Sequence, residues 1–280
     1  MPMKFFFTLL TLLVSLSVTG QENQKLPNGQ WAYYGEEFYK SFKNKSLERR
    51  LLSNIFNQYH SNHAGKLDAI TSGCVGACYK QVSVGYEAAR KIMFGELDKL
   101  QDSKGTYVLD VYCGKKFYFQ NLEEVGSMHD RVNIEHTWPQ SKFNSGFPKD
   151  IQKSDMHHLY LTDSQANSTR GNTPFGFINS DEDRTGGEGC RNSRMGLINE
   201  IEAYTPPAPH RGNVARALFY FSMHYDLAIS KSEEVTLRRW HNEDPVDLAE
   251  LIRHEKIARH QKIRNPFVDH PEIVDMIKDF

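Results

Sequence analysis

The sequence predicts an α+β chain, mostly helical, folded as a single domain around two neighbouring strands and a short helix. Three observations predict it. Two stretches in the first hundred residues place apolar side chains at helical spacing. The middle of the chain switches to the two-residue period of strands. From "NVARALFYFSMHYD" onward helical spacing returns. The chain has 280 residues, 39% of them hydrophobic and 25% charged, ordinary values for a globular protein able to bury a sizeable core. A formal net charge of -1 excludes a uniformly basic protein. Any contact with nucleic acid must come from a local basic face.

Taken in order, Lys4 precedes an apolar stretch from Phe5 to Val18, and Thr19 and Gly20 follow. A basic start, a short apolar core and a small-residue exit describe a secretory signal peptide over residues 1–20, which implies a periplasmic or secreted protein. The mature domain is expected over residues 21–280, with 21–70 as an N-terminal extension. "SLERRLLSNIFNQYH" offers Ser46 as a cap and aligns Leu51, Ile55 and Tyr59 on one helical face. "YEAARKIMFGELDKL" repeats the pattern through Tyr86, Ala89, Met93, Leu97 and Leu100. In "TYVLDVYCGKKFYF" the period changes, and Gly114 separates two strands. "RVNIEH" and "HLYLT" read as further strands, with Pro139 ending the first. Asp163 can cap the short helix "SQANSTR", which Gly171 closes. "NSDEDRTGGEGCRNSRMG" reads as a loop. "DPVDLAELIRHEKIARHQKIR" starts a helix, with Asp244 as cap and Pro245 at its first position.

Four cysteines, Cys74, Cys78, Cys113 and Cys190, in an exported chain favour disulfides, with at least one expected at Cys74 or Cys78. "HSNHAGKLDAITSGCVGACYK" leaves a second reading open, a structural zinc site built by His60, His63, Cys74 and Cys78.

Chemistry concentrates in "VNIEHTWPQS". Neighbours on a strand point to opposite faces, so Glu135 and His136 can serve one reaction only where the strand ends, and Trp138 and Pro139 mark that end. A carboxylate suits a hard divalent cation, and a neutral imidazole suits proton abstraction near neutral pH. In "DMHHLYLTDSQANSTRGNTPFG", Asn167 falls on the short helix, where its amide oxygen can join Glu135 around a cation. His157 and His158 read as structural, with a direct role in the site as the alternative. Strand, strand and helix, with His leaving the first strand and Asn on the helix, is the layout of a ββα-metal nuclease.

Those two segments, with "GNVARALFYF" and "WHNEDPVDLAELIRHEKIARHQKIRNPFVDHPE", closely resemble the bacterial endonuclease I family of secreted or periplasmic nucleases. The resemblance runs from about Tyr86 to Glu272 and leaves residues 21 to about 70 outside it. It implies nonspecific hydrolysis of DNA, and of RNA, by a monomer using Mg²⁺, with Mn²⁺ or Ca²⁺ as further ions able to occupy the site. It implies His136 as general base and Glu135 and Asn167 as metal ligands. An arginine on the scissile phosphate falls in a variable region of the family. Arg170 is the nearest candidate by sequence, with support of the short helix as its other role. Arg253, Lys256, Arg259, Lys262 and Arg264 offer a basic helical face for the substrate, or simply a solvated one. A zinc-dependent hydrolase and a nucleic-acid-binding protein without cleavage are the competing functional classes.

Overall fold

The computed structural model describes residues 24–61, 65–178, 184–185, 190 and 192–280. The expected signal peptide lies outside the described residues, as does most of the Gly-rich loop. Helices α1 (Gly35–Lys43) and α2 (Arg49–Asn57) come first, then the short ribbon β1 (Tyr59–Ser61) and β2 (Ala69–Thr71). Helix α3 (Tyr86–Ile92) runs through a five-residue π turn, Met93–Leu97, into the antiparallel β3 (Lys99–Asp102), β4 (Gly105–Leu109) and β5 (Lys116–Tyr118). The central pair follows as β6 (Val132–His136), α4 (Lys149–Ser154) and β7 (Leu159–Asp163), and then α5 (Ser164–Arg170). A three-stranded sheet of β8 (Arg184–Thr185), β9 (Arg194–Ile198) and β10 (Ile201–Thr205) precedes α6 (Arg211–His224), α7 (Lys231–Glu243), α8 (Leu248–Gln261) and α9 (Pro266–Asp269).

Strands β6 and β7 are antiparallel, with Ile134 opposite Leu161, Glu135 opposite Tyr160 and His136 opposite Leu159. They divide two apolar clusters. One side packs Val132, Ile134, Leu159 and Leu161 with Ala89, Met93, Phe94 and Val108. The other cluster is larger and centres on α6, twelve of whose fourteen residues are buried. It gathers Tyr33, Tyr34, Phe38, Leu52, Ile55 and Phe56 from the first helices with Trp138, Ala166, Phe219, Phe221, Trp240 and Phe267. Residues 24–57 therefore form part of the main core, although they lie outside the family resemblance.

Several sequence expectations hold. Asp163 caps α5 by accepting from Gln165 N and Ala166 N, and Gly171 ends it at a φ of 55°. Others need correction. Ser46 does not cap α2; its N–H goes back to Ser41 O (2.9 Å), and the helix starts three residues later at Arg49. Tyr59 and Leu100 leave their helices for strands, because β1 begins at Tyr59 and β3 at Lys99. Asp247 rather than Asp244 caps α8, while Asp244 accepts from Gly212 N (2.8 Å) at the start of α6. Part of the stretch read as loop forms β9, which turns through Asn199 and Glu200, both at positive φ, into β10. That two-residue hairpin lacks the Asn-Gly signal that marks such turns.

Candidate metal and catalytic site

The site is assembled at the end of β6. Asp110 prepares it from the preceding loop, accepting from the backbone of Tyr112 (2.9 Å) and Cys113 (2.8 Å) and from the Thr162 hydroxyl on β7 (2.7 Å). This aims the Tyr112 hydroxyl at Glu135, donating to Oε1 at 2.8 Å. Arg170, from the end of α5, reaches the same oxygen at 3.0 Å. Glu135 is only 2% exposed. Burial raises its pKa, and Arg170 and the Tyr112 hydroxyl pull it down without cancelling that rise. Oε2 accepts no hydrogen bond among the described residues, and it is not one of the sealed, unpartnered atoms either. It is the open side of an otherwise enclosed carboxylate.

Asn167 lies one helical turn before Arg170, on the same face of α5. It is half-buried, and its side-chain amide makes no hydrogen bond among the described residues. A hard cation needs oxygen donors of this kind, a carboxylate and a neutral amide. Glu135 Oε2 and the Asn167 amide oxygen are donors of that kind, so these residue types fit a hard cation such as Mg²⁺.

His136 leaves β6 on the other side. Its Nε2 lies 3.1 Å from Lys153 O, and Nδ1 lies 3.3 Å from the side-chain nitrogen of exposed Gln140. The carbonyl can only accept, so Nε2 carries the proton and Nδ1 keeps its lone pair. The ring lies nearly parallel to Tyr86 at 5.7 Å and meets His158 edge-on at 5.4 Å. Burial, joined by the charges of His158 and Lys153, pushes the His136 pKa down to about 3, so it is neutral at neutral pH.

Arg170 is 2% exposed, and its contacts among the described residues are with the chain itself. It donates to the carbonyls of His136 (3.2 Å), Thr137 (2.9 Å) and Gly171 (3.2 Å) and lies on the Phe175 ring at 4.5 Å. Its guanidinium ties α5 to the end of β6. His157 and His158 are structural too, facing the carbonyls of Ile263 (3.1 Å) and Gln152 (2.8 Å).

The zinc reading at the cysteines is overturned. Cys74 pairs with Cys78 and Cys113 with Cys190, so no thiolate is left for zinc. His60 faces Ile55 O (2.7 Å), and His63 lies outside the described residues. The basic face of α8 is also dispersed. Arg253 turns inward onto Asp98 (2.8 Å) and Leu159 O (2.7 Å), and Arg264 is sealed between Asp269 and Glu255. Among the described residues, His254, Glu255 and Asp269 bring ligand-type atoms within 4.8 Å of one another. Arg264 already supplies the positive charge there.

Sequence reasoning missed Tyr112, which sits 23 positions from Glu135 and meets it only in the fold. It also passed over Asp155, Gln140 and the Tyr86–Lys153 pair. Asp155 in "SDMHH" carried a usable signal, since an aspartate before a short turn is a cap, and it accepts from His157 N (3.1 Å).

The family model for Endonuclease I matches residues 75–272, which include both strands of the site and α5. An extracellular ribonuclease of Bacillus subtilis is 34% identical over 163 residues, 52% of this chain and 53% of the relative. An extracellular ribonuclease of Bacillus amyloliquefaciens is 34% identical over 170 residues, covering 54% and 55%. An extracellular deoxyribonuclease of Aeromonas hydrophila is 27% identical over 202 residues, 62% of this chain and 85% of the relative. The chain thus spans about half the length of the two ribonucleases it matches. With the family model covering most of its length and both halves of the site, the chain belongs to the endonuclease I family.

Proposed function

We propose that this protein is a secreted or periplasmic endonuclease that hydrolyses phosphodiester bonds of DNA and RNA, with one Mg²⁺ held by Glu135 and Asn167. The observation that carries it is the buried Glu135 carboxylate, which keeps one oxygen open on the strand that also carries a neutral His136. An enclosed carboxylate with a free oxygen is costly unless a cation meets it. The relatives named as extracellular ribonuclease and deoxyribonuclease support both the polymer class and export.

When bound, Mg²⁺ stabilises negative charge on the phosphate as a Lewis acid. The chain supplies the rest. The Lys153 carbonyl fixes the His136 tautomer, so Nδ1 can take a proton from water as its oxygen attacks phosphorus. Exposed Gln140 lies 3.3 Å from Nδ1 and has to move aside for that water. The P–O3′ bond breaks and the departing 3′-oxygen takes up a proton from solvent, leaving 5′-phosphate and 3′-hydroxyl ends. Arg170 and Tyr112 act behind Glu135, holding it against the strand. Little sequence preference is expected, because phosphate contacts carry no sequence information. The test is cleavage of plasmid DNA and of RNA by the mature protein, with Mg²⁺ and with EDTA. Metal-dependent cutting of either polymer supports the reading. A protein that retains DNA and leaves it uncut in Mg²⁺ refutes it.

A further inference from the structure

With Arg170 buried, the cation that meets the substrate must come from elsewhere. The geometry points to Lys153 as the residue that contacts a substrate phosphate beside His136, with Tyr86 as the surface that holds its ammonium in place. This inference rests on the nuclease reading and names a further substrate-binding residue of the same site.

Three observations carry it. Lys153 is tied to the site by its own backbone, since its carbonyl faces His136 Nε2 at 3.1 Å. Its ammonium lies 4.3 Å from the centre of the Tyr86 ring, and that ring lies nearly parallel to His136. The backbone of Lys153 thus meets the imidazole, and its side chain meets the ring that the imidazole stacks on.

The ammonium also has no carboxylate partner among the described residues, although Lys153 is half-buried. Three other enclosed cations do, whereas buried Arg90 is held by the carbonyls of Val125 and Val132. Arg216 is paired with Glu250 (2.6 Å), Arg253 with Asp98 (2.8 Å) and Arg264 with Asp269 (2.7 Å). A half-enclosed cation on an aromatic face, without a counter-ion, is set up to receive an anion.

Its setting has the same sign. The connection from β6 to β7 bears Lys142, Lys149 and Lys153 against exposed Asp150 and enclosed Asp155, in a chain of net charge -1. Lys149 and Lys153 stand four apart on α4, on one face of the helix. This is the local basic face that the composition required. It adjoins the reacting bond, where α8 does not.

The experiment uses the full mature chain and a short DNA duplex. Binding is measured in EDTA over a range of salt, and cleavage in Mg²⁺. Lys153→Met keeps the apolar stem over Tyr86 and removes only the charge. It should weaken binding at every salt concentration and lower the slope of log affinity against log salt by about 1, the loss of one phosphate contact. Lys153→Arg should restore the slope, and Tyr86→Leu should reproduce part of the loss. Lys40→Gln, on α1 and paired with Glu36 and Glu37, should change neither. An unchanged slope in folded Lys153→Met, or a slope that Lys153→Arg fails to restore, overturns the assignment while wild-type cleavage leaves the nuclease reading intact. A wild-type protein that neither binds nor cuts DNA or RNA overturns both. Should Lys153→Met not fold, the Tyr86→Leu slope decides, and no change there counts against the proposal.

Discussion

Asp155 and Glu135 are both almost wholly buried, and their surroundings differ. Asp155, ahead of β7, is completely enclosed and fully occupied. It accepts from the hydroxyls of Tyr220 and Tyr225 at 2.8 Å each, from Gln81 at 3.3 Å and from the backbone of His157, and it faces His224 at 3.5 Å. Burial pushes its pKa up, but the His224 hydrogen bond and the neighbouring histidines outweigh it and hold the group below the usual carboxylate range. Glu135, on β6, has one oxygen occupied and one open, and burial keeps its pKa raised. Equal burial with opposite shifts separates a fully hydrogen-bonded carboxylate from one with an open oxygen. Asp155 has its donors built in. Glu135 has Arg170 and Tyr112 at one oxygen and no donor at the other among the described residues.

The linkage has opposite sign at the two sites. Asp155, with its folded pKa lowered, contributes stability that is present above the ordinary carboxylate pKa of about 4. That contribution is lost as pH falls from there toward the folded value. Glu135, with its folded pKa raised, makes the folded state less favourable as pH rises through that value. Acid should therefore cost the protein stability through Asp155 and relieve it at Glu135.

The largest effect is expected where the chemistry is. His136→Ala should keep the fold and DNA binding and lose cleavage by about 10²–10⁴-fold, the usual range for a general base. Activity within tenfold of wild type in plasmid assays would remove His136 from that role. Asp155→Asn comes next, and on stability. Losing charge-assisted hydrogen bonds worth about 1.5–3 kcal/mol each should lower the unfolding free energy by roughly 3 kcal/mol in denaturant titrations and flatten its fall below pH 4. Glu135→Gln still accepts from Tyr112 and Arg170 through its amide oxygen, so its unfolding midpoint should move less than that of Asp155→Asn while cleavage is lost. The reverse ranking would collapse the distinction between the two carboxylates. The smallest stability effect belongs to the local ring. Replacing Cys74 and Cys78 together should cost about 2 kcal/mol, against about 4–5 kcal/mol for the pair Cys113 and Cys190, which closes a far longer loop.

Much of the frame was legible in the sequence because it is local. Asp163 and Gly171 announce α5 by their own conformations, and "VNIEH" and "HLYLT" read as strands by their residues alone. The ends of helices were less legible wherever a distant residue claimed the expected cap, as Gly212 does for Asp244. Side-chain roles were least legible. Nothing near Arg170 shows that its guanidinium will be enclosed by β6 carbonyls and Phe175. Nothing within α8 shows that Arg253 and Arg264 will turn inward, because Asp98 lies 155 positions from Arg253 in the chain. Glu135, His136 and Asn167 were picked out by residue type and strand order. Their electrostatic settings depend on Tyr112 and Lys153, which only the fold brings to them.

The central claim is that the open oxygen of Glu135 and the free amide of Asn167 share a metal ion. It is tested most directly by titrating Mg²⁺ in plasmid cleavage by the wild type and Asn167→Ala. Water can replace the lost amide, so the account predicts a curve displaced to higher Mg²⁺ that recovers part of its activity at saturation, with metal-free DNA binding unchanged. Superimposable curves would show that Asn167 only packs the short helix, and would contradict the site as assigned.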